Sequence, residues 1–87
     1  MNTFKLNISS YDGTLYEDDV EMLILRGAAG DLAVMAGHIP FATSVVPGEI
    51  RIKTNDDKEL VGKTEGGLLT VDADKTTLLS GTFSWME

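Results

Sequence analysis

The chain has 87 residues, of which 43% are hydrophobic and 24% are charged. This composition is typical of a globular protein and excludes a disordered chain, and the length predicts a single domain over residues 1–87. Because cysteine is absent, a disulfide framework and a thiolate zinc site are excluded. The formal net charge of −7 argues against nucleic acid and anionic lipid as partners, since both bind through lysine and arginine.

Membrane insertion is not expected either, because no apolar run approaches the roughly 18 residues that a spanning helix needs. We therefore expect a soluble chain that reaches a membrane only through a partner.

Apolar residues at every second position dominate the N-terminal third and predict strands. Phe4, Leu6 and Ile8 alternate with polar residues, and Asp12-Gly13 predicts a hairpin turn into a short return strand over residues 14–16. The acidic residues between 17 and 21 are interpreted as a solvated turn before an apolar strand over residues 20–26. A calcium loop is the alternative, but the glycine and the bidentate glutamate of an EF-hand are missing from their places.

The same pattern continues to the C-terminus. Pro47-Gly48 predicts the centre of a type II turn, and no stretch of ten residues has apolar positions at helical spacing. The chain is therefore predicted to be all-β, a small antiparallel β-sandwich or barrel of about eight to ten short strands. Further strands are predicted over residues 31–35, 41–46, 49–54, 59–63, 68–73, 76–79 and 82–85.

Motifs for catalysis or cofactor binding are missing from the sequence. With one histidine, no cysteine and no Gly-x-Ser-x-Gly elbow, the chain cannot build a nucleophilic triad. The pair Gly27-x-x-Gly30 leads into a strand, whereas a phosphate loop leads into a helix. A zinc site would need three carboxylates converging on His38. We expect no enzymatic activity, no catalytic residue, no cofactor and no metal.

Three motifs carry the most specific information. They are Gly27-Ala-Ala-Gly-Asp-Leu-Ala-Val-Met-Ala-Gly-His-Ile-Pro40, then Pro47-Gly48-Glu49-Ile50-Arg51-Ile52, and finally Gly66-Gly67-Leu68-Leu69-Thr70-Val71. In this order and spacing they resemble the N-terminal β-sandwich of the ε subunit of rotary ATP synthases, which is called δ in mitochondria. The resemblance extends from the Phe4 strand to about Thr82.

The resemblance implies a non-catalytic subunit of the central stalk that links the γ subunit to the c ring and couples ion translocation to ATP synthesis. It implies a peripheral position on the cytoplasmic face of a bacterial cell membrane, or on the equivalent organellar membrane. Gly30, Asp31 and Leu32 match the positions that meet the polar loops of the c ring. The positions that match the contact with γ are Ser10, His38, Ile39, Pro40 and Phe41.

Each of these residues also has a purely structural interpretation. His38 would be a turn histidine bonded to backbone, and Asp31 a turn residue that accepts local N–H groups. Pro40 and Phe41 would be the entry to the core and a core side chain. For the whole chain, the alternative is a β-sandwich protein-binding module unrelated to ATP synthase.

The chain also departs from the usual family pattern. Ala33 and Ala36 replace a glycine and a proline, and Glu65 replaces the serine before the double glycine. The sequence ends at Phe83-Ser-Trp-Met-Glu87, whereas most ε subunits continue into a pair of helices that regulate the enzyme and in some members bind ATP. We therefore expect no specific ATP binding by this chain and, if it is the complete subunit, no inhibition of the enzyme.

Overall fold

The structure, a computed structural model, describes residues 2–37 and 39–86. Within these ranges it contains no helix, and hence none that could cross a membrane. The all-β prediction is therefore confirmed. The described residues form nine strands: β1 (Phe4–Ser10), β2 (Gly13–Gly27), β3 (Gly30–Met35), β4 (Phe41–Val45), β5 (Gly48–Thr54), β6 (Glu59–Thr64), β7 (Gly67–Val71), β8 (Lys75–Leu79) and β9 (Ser84–Trp85).

Strand β2 is long enough to belong to two layers. Its N-terminal half pairs with β1, and its C-terminal half pairs with β3 along one edge and β5 along the other. Sheet I is β2-β1-β8-β7-β4, and sheet II is β3-β2-β5-β6-β9. A single residue pair, Gly27 opposite Val45, also joins β4 of sheet I to β2. The pairing is antiparallel as predicted, apart from a parallel pair between β1 and β8.

The inward-facing side chains of both sheets form the core. Alternation places every second residue of a strand on one face, so each strand contributes its apolar set to the same side. Burying one such side chain contributes about 1.5–3 kcal/mol. Among the described residues, the buried hydrophobic set is Leu6, Ile8, Val20, Leu23, Leu25, Val34, Val45, Ile50, Ile52, Leu69, Val71 and Leu78.

The predicted acidic turn before residue 20 is wrong. Glu17, Asp18 and Asp19 lie within β2, opposite Asn7, Leu6 and Lys5 of β1. Their backbone groups are satisfied by the β1 ladder while their side chains remain exposed, so a polar sequence is compatible with a strand here. The two strands predicted over residues 14–16 and 20–26 are consequently a single strand.

The type II turn predicted at Pro47-Gly48 does not form. Gly48 has a φ of 157°, whereas the third residue of such a turn requires a φ of about +80°. Gly48 instead begins β5, where it pairs with Thr64 of β6.

Candidate functional site

The hairpin between β2 and β3 carries the residues that the resemblance assigns to the c ring. Gly27 pairs with Gly30 across a two-residue connection, and Gly30 has a φ of 124°, which favours glycine at this turn. Asp31 follows as the second residue of β3, and 76% of its side chain is exposed. The Nε of Arg26, its cross-strand neighbour, donates to Asp31 Oδ1 at 3.0 Å. Leu32 is half-buried against the core.

A shallow depression of about 280 Å³ connects this hairpin to β4. Its walls include Gly30, Asp31 and Leu32 on one side and Phe41 to Thr43 on the other. The structure therefore brings Phe41 next to the residues assigned to the c ring. Phe41 is also packed against the core, so it combines the structural and the surface interpretation.

The segment before β4 contains three more residues assigned to γ, which are His38, Ile39 and Pro40. Ile39 is 78% exposed, and Pro40 is exposed beside it. His38 lies outside the described residues, so its proposed roles stay predictions.

Ser10 lies far from this segment. Across sheet I, Phe41 is opposite Val71, Val71 is opposite Thr76, and Thr76 is opposite Leu6. Ser10 is four residues further along β1, roughly 13 Å along the strand and three strand spacings of about 4.8 Å away. Its hydroxyl accepts a hydrogen bond from the Asp12 N–H at 3.2 Å, so it also stabilises the β1–β2 turn.

Between these two corners lies the outer surface of sheet I. The cross-strand register aligns Ser44, Leu68 and Leu79 in one row, and Ala42, Thr70 and Thr77 in the next. Neither β4 nor β7 contains a charged residue. Leu68 and Leu79 are 46% and 41% exposed. We call this surface the uncharged face and define it by Ala42, Ser44, Leu68, Thr70, Thr77 and Leu79.

Sequence reasoning did not single out the uncharged face. The signal was present, because the outward positions of β4 and β7 are small, hydroxylic or aliphatic, while those of β5 and β6 are charged except for Val61. What was missing was the knowledge that β4, β7 and β8 are neighbours.

Metal-ligating side chains are not clustered in the described part of the chain. No group of three or more metal-ligating side chains occurs there. Burial, followed by the nearby carboxylates of Asp18 and Asp56, raises the pKa of Tyr16. A hydrogen bond from the Thr54 hydroxyl lowers the pKa of Asp56, which is exposed. None of these groups lines the depression or the uncharged face.

Comparison with known proteins relates this fold to one family. Residues 3–86 match the family described as ATP synthase, Delta/Epsilon chain, beta-sandwich domain. The ATP synthase epsilon chain, sodium ion specific, of Acetobacterium woodii is 35% identical over 85 residues, which cover 98% of this chain and 64% of that protein. The epsilon chain of Bacillus subtilis is 38% identical over 80 residues, covering 92% of this chain and 60% of that protein. The chain thus spans less than two thirds of the length of these relatives.

Solved structures share the fold at lower identity. A chain of the Euglena gracilis mitochondrial ATP synthase superposes with a TM-score of 0.89 at 18% identity, covering 95% of this chain and 53% of that chain. A chain of the Tetrahymena thermophila central stalk and c-ring structure gives 0.80 at 11% identity, covering 95% and 66%. Because the family match covers nearly the whole sequence, a chance resemblance of an unrelated binding module is set aside. The chain belongs to the family of ATP synthase delta/epsilon chains, of which it forms the β-sandwich domain.

Proposed function

We propose that residues 1–87 form a single domain that acts in the rotor stalk of a rotary ATP synthase as its ε subunit, linking the γ subunit to the c ring. In this role it couples ion translocation to ATP synthesis without catalysing a reaction. It would be held through these partners at the cytoplasmic face of the cell membrane, or at the equivalent organellar membrane.

The uncharged face is the observation that carries this proposal. On a chain of net charge −7, a broad surface without a charged side chain is the part that a protein partner can cover at the lowest desolvation cost. Leu68 and Leu79 supply apolar area, while the small residues around them allow a close approach.

The residues assigned to γ border this same face. Ser10 is the last residue of β1, whereas Ile39 and Pro40 precede Phe41, the first residue of β4. The two sets therefore occupy diagonal corners of sheet I. A subunit covering the uncharged face would reach both corners. We therefore propose γ as its occupant and the β2–β3 hairpin, with Gly30, Asp31 and Leu32, as the part that meets the c ring.

Binding to purified γ of the same ATP synthase tests this proposal. Leu68→Lys places a charge in the middle of the uncharged face, and we expect it to prevent the stable complex that the unmodified chain forms. Met35→Lys is the matched control, since Met35 is 51% exposed on sheet II, and we expect it to bind γ normally. Thermal melting should show both variants folded. If the unmodified chain does not bind γ, or if Leu68→Lys binds equally well, the proposal is wrong.

A further inference from the structure

The ion pair at the β2–β3 hairpin uses only part of the hydrogen-bonding capacity of its two residues. Arg26 bonds Asp31 Oδ1 through Nε. Among the described residues, the Nη1 and Nη2 atoms of Arg26 and the Oδ2 atom of Asp31 make no hydrogen bond or ion pair. Both side chains are mostly exposed, at 64% and 76%. The pair thus presents a two-nitrogen donor fork beside a carboxylate oxygen acceptor.

Arg26 differs in this respect from the other arginine nearby. Both line a second depression of about 360 Å³ that also includes Asp31 and Glu49. Arg51 is held by two carboxylates, with Nη2 at 2.8 Å from Glu49 and Nη1 at 3.3 Å from Glu59. Its terminal nitrogens are therefore already engaged, whereas those of Arg26 remain available for a partner.

The local charge is also unusual for this chain. The arginines and acidic residues lining the second depression are two of each sign, so its wall is electrically balanced although the whole chain carries −7. An acidic or carbonyl group of a partner can approach Arg26 here without meeting the repulsion expected over the rest of the surface.

The ion pair between Arg26 and Asp31 contributes little to the stability of the fold. Exposed ion pairs contribute little stability because water and salt screen them. The pair is nevertheless held in place by the hairpin, since Arg26 and Asp31 are directly opposite one another and next to the tight Gly27–Gly30 turn. A prearranged donor and acceptor lose less conformational freedom on binding than two independent side chains.

We propose that Arg26 is a specificity-determining residue of the hairpin, which holds Asp31 through Nε and offers its terminal nitrogens to the docked c-ring loop. This inference rests on the proposed function and names the chemistry of the contact. The loop presents a carboxylate to Arg26 and an N–H donor to Asp31 Oδ2. Arginine suits this task because its planar fork binds a carboxylate through two parallel bonds.

Binding of the full chain to a purified complex of γ with the c ring, compared with binding to γ alone, tests the inference. Arg26→Gln should weaken binding to the γ–c-ring complex about tenfold and leave binding to γ alone unchanged. Arg26→Lys should lose a similar factor, because a lysine cannot bond Asp31 and also form a planar fork. Lys53→Gln is the matched control, since it removes one exposed positive charge from sheet II away from the hairpin tip.

The exchanged double variant Arg26→Asp with Asp31→Arg separates recognition from internal pairing. It restores an ion pair but reverses its polarity, so we expect normal thermal stability with weak binding to the ring complex. Wild-type affinity in this variant, or in Arg26→Gln, would overturn the inference while leaving the proposed function intact. If the unmodified chain gains no affinity from the c ring over γ alone, the c-ring part of the proposed function fails instead.

Discussion

The outer surfaces of the two sheets differ although their inner surfaces are alike. Both sheets point aliphatic residues into the shared core. Outside, sheet I presents the uncharged face on β4, β7 and β8. Charged side chains lie beside it at the start of β8 and along β1 and β2, namely Lys75, Lys5, Glu17 and Asp19. On sheet II, strands β5 and β6 instead carry charges of opposite sign, with Glu49 opposite Lys63 and Lys53 opposite Glu59.

This difference separates what the fold needs from what the surface does. A sandwich requires the inward alternation on both sheets, and the outward residues are constrained only by solvent or by a partner. Paired charges are typical of a surface that stays in water. An uncharged surface of similar extent is typical of one that a partner covers. Single substitutions on either side of a sheet test whether inner residues determine stability while outer residues determine binding.

The largest effect is expected from two adjacent leucines of β7. Leu69 is fully buried, whereas its neighbour Leu68 is 46% exposed. Leu69→Ala should reduce the free energy of unfolding by about 2–5 kcal/mol, because it leaves a cavity between the sheets. Leu68→Ala should change it by no more than about 0.5 kcal/mol. Urea denaturation of both variants measures the difference, and equal losses would show that the outward side of sheet I is structural.

A smaller loss is expected where β7 approaches the end of β8. A Cβ added to Gly67 would lie 2.2 Å from the carbonyl oxygen of Leu79, a backbone atom that cannot move aside alone. Gly67→Ala should therefore cost about 1–3 kcal/mol through overpacking. Gly81→Ala is the control, since its Cβ would lie 3.0 Å from the Tyr11 ring, which is 89% exposed. If chemical denaturation gives similar values for the two, the contact at Gly67 is not close-packed.

On sheet II, Arg51 tests whether the charged surface matters for stability. Arg51→Gln removes both ion pairs and leaves Glu49 and Glu59 without their shared cation. We expect a loss of about 0.2–1 kcal/mol at low salt, decreasing as salt is raised, and unchanged binding to γ. A loss that persists at 1 M salt would indicate that the arginine stem contributes packing instead.

The smallest effect on stability is expected from Tyr16, where the two sheets contact each other. Tyr16 of β2 contacts Trp85 of β9 with ring centroids 5.4 Å apart. Burial raises the pKa of Tyr16 above its ordinary value of 10.0, so the fold favours the neutral phenol. Its contribution to stability is present below about pH 10 and is lost as the pH rises through the folded-state pKa. Thermal melts of the unmodified chain should fall in this window more steeply than those of Tyr16→Phe. Identical pH profiles would contradict the assignment.

The sequence by itself determined the class of the fold and the position of the hairpin. Alternating residues such as Ile50 and Ile52 predict strands because a strand has a side-chain period of two. The glycines at 27 and 30 predict a tight connection, which in turn places Arg26 opposite Asp31. The three glycine-containing motifs were sufficient to identify the family. All of these are local properties of the chain, set by backbone geometry within a few residues.

Only the tertiary structure decided which strands are neighbours. The period of two tells an inward residue from an outward one, but it does not tell which strand lies beside which. The acidic segment of β2 became a strand because β1 satisfies its backbone groups, and the uncharged face exists because β4, β7 and β8 lie side by side. Ser10 and Phe41, 31 residues apart in sequence, border the same face for the same reason. Such pairings depend on hydrogen bonds and core contacts between distant segments, which a local pattern does not encode.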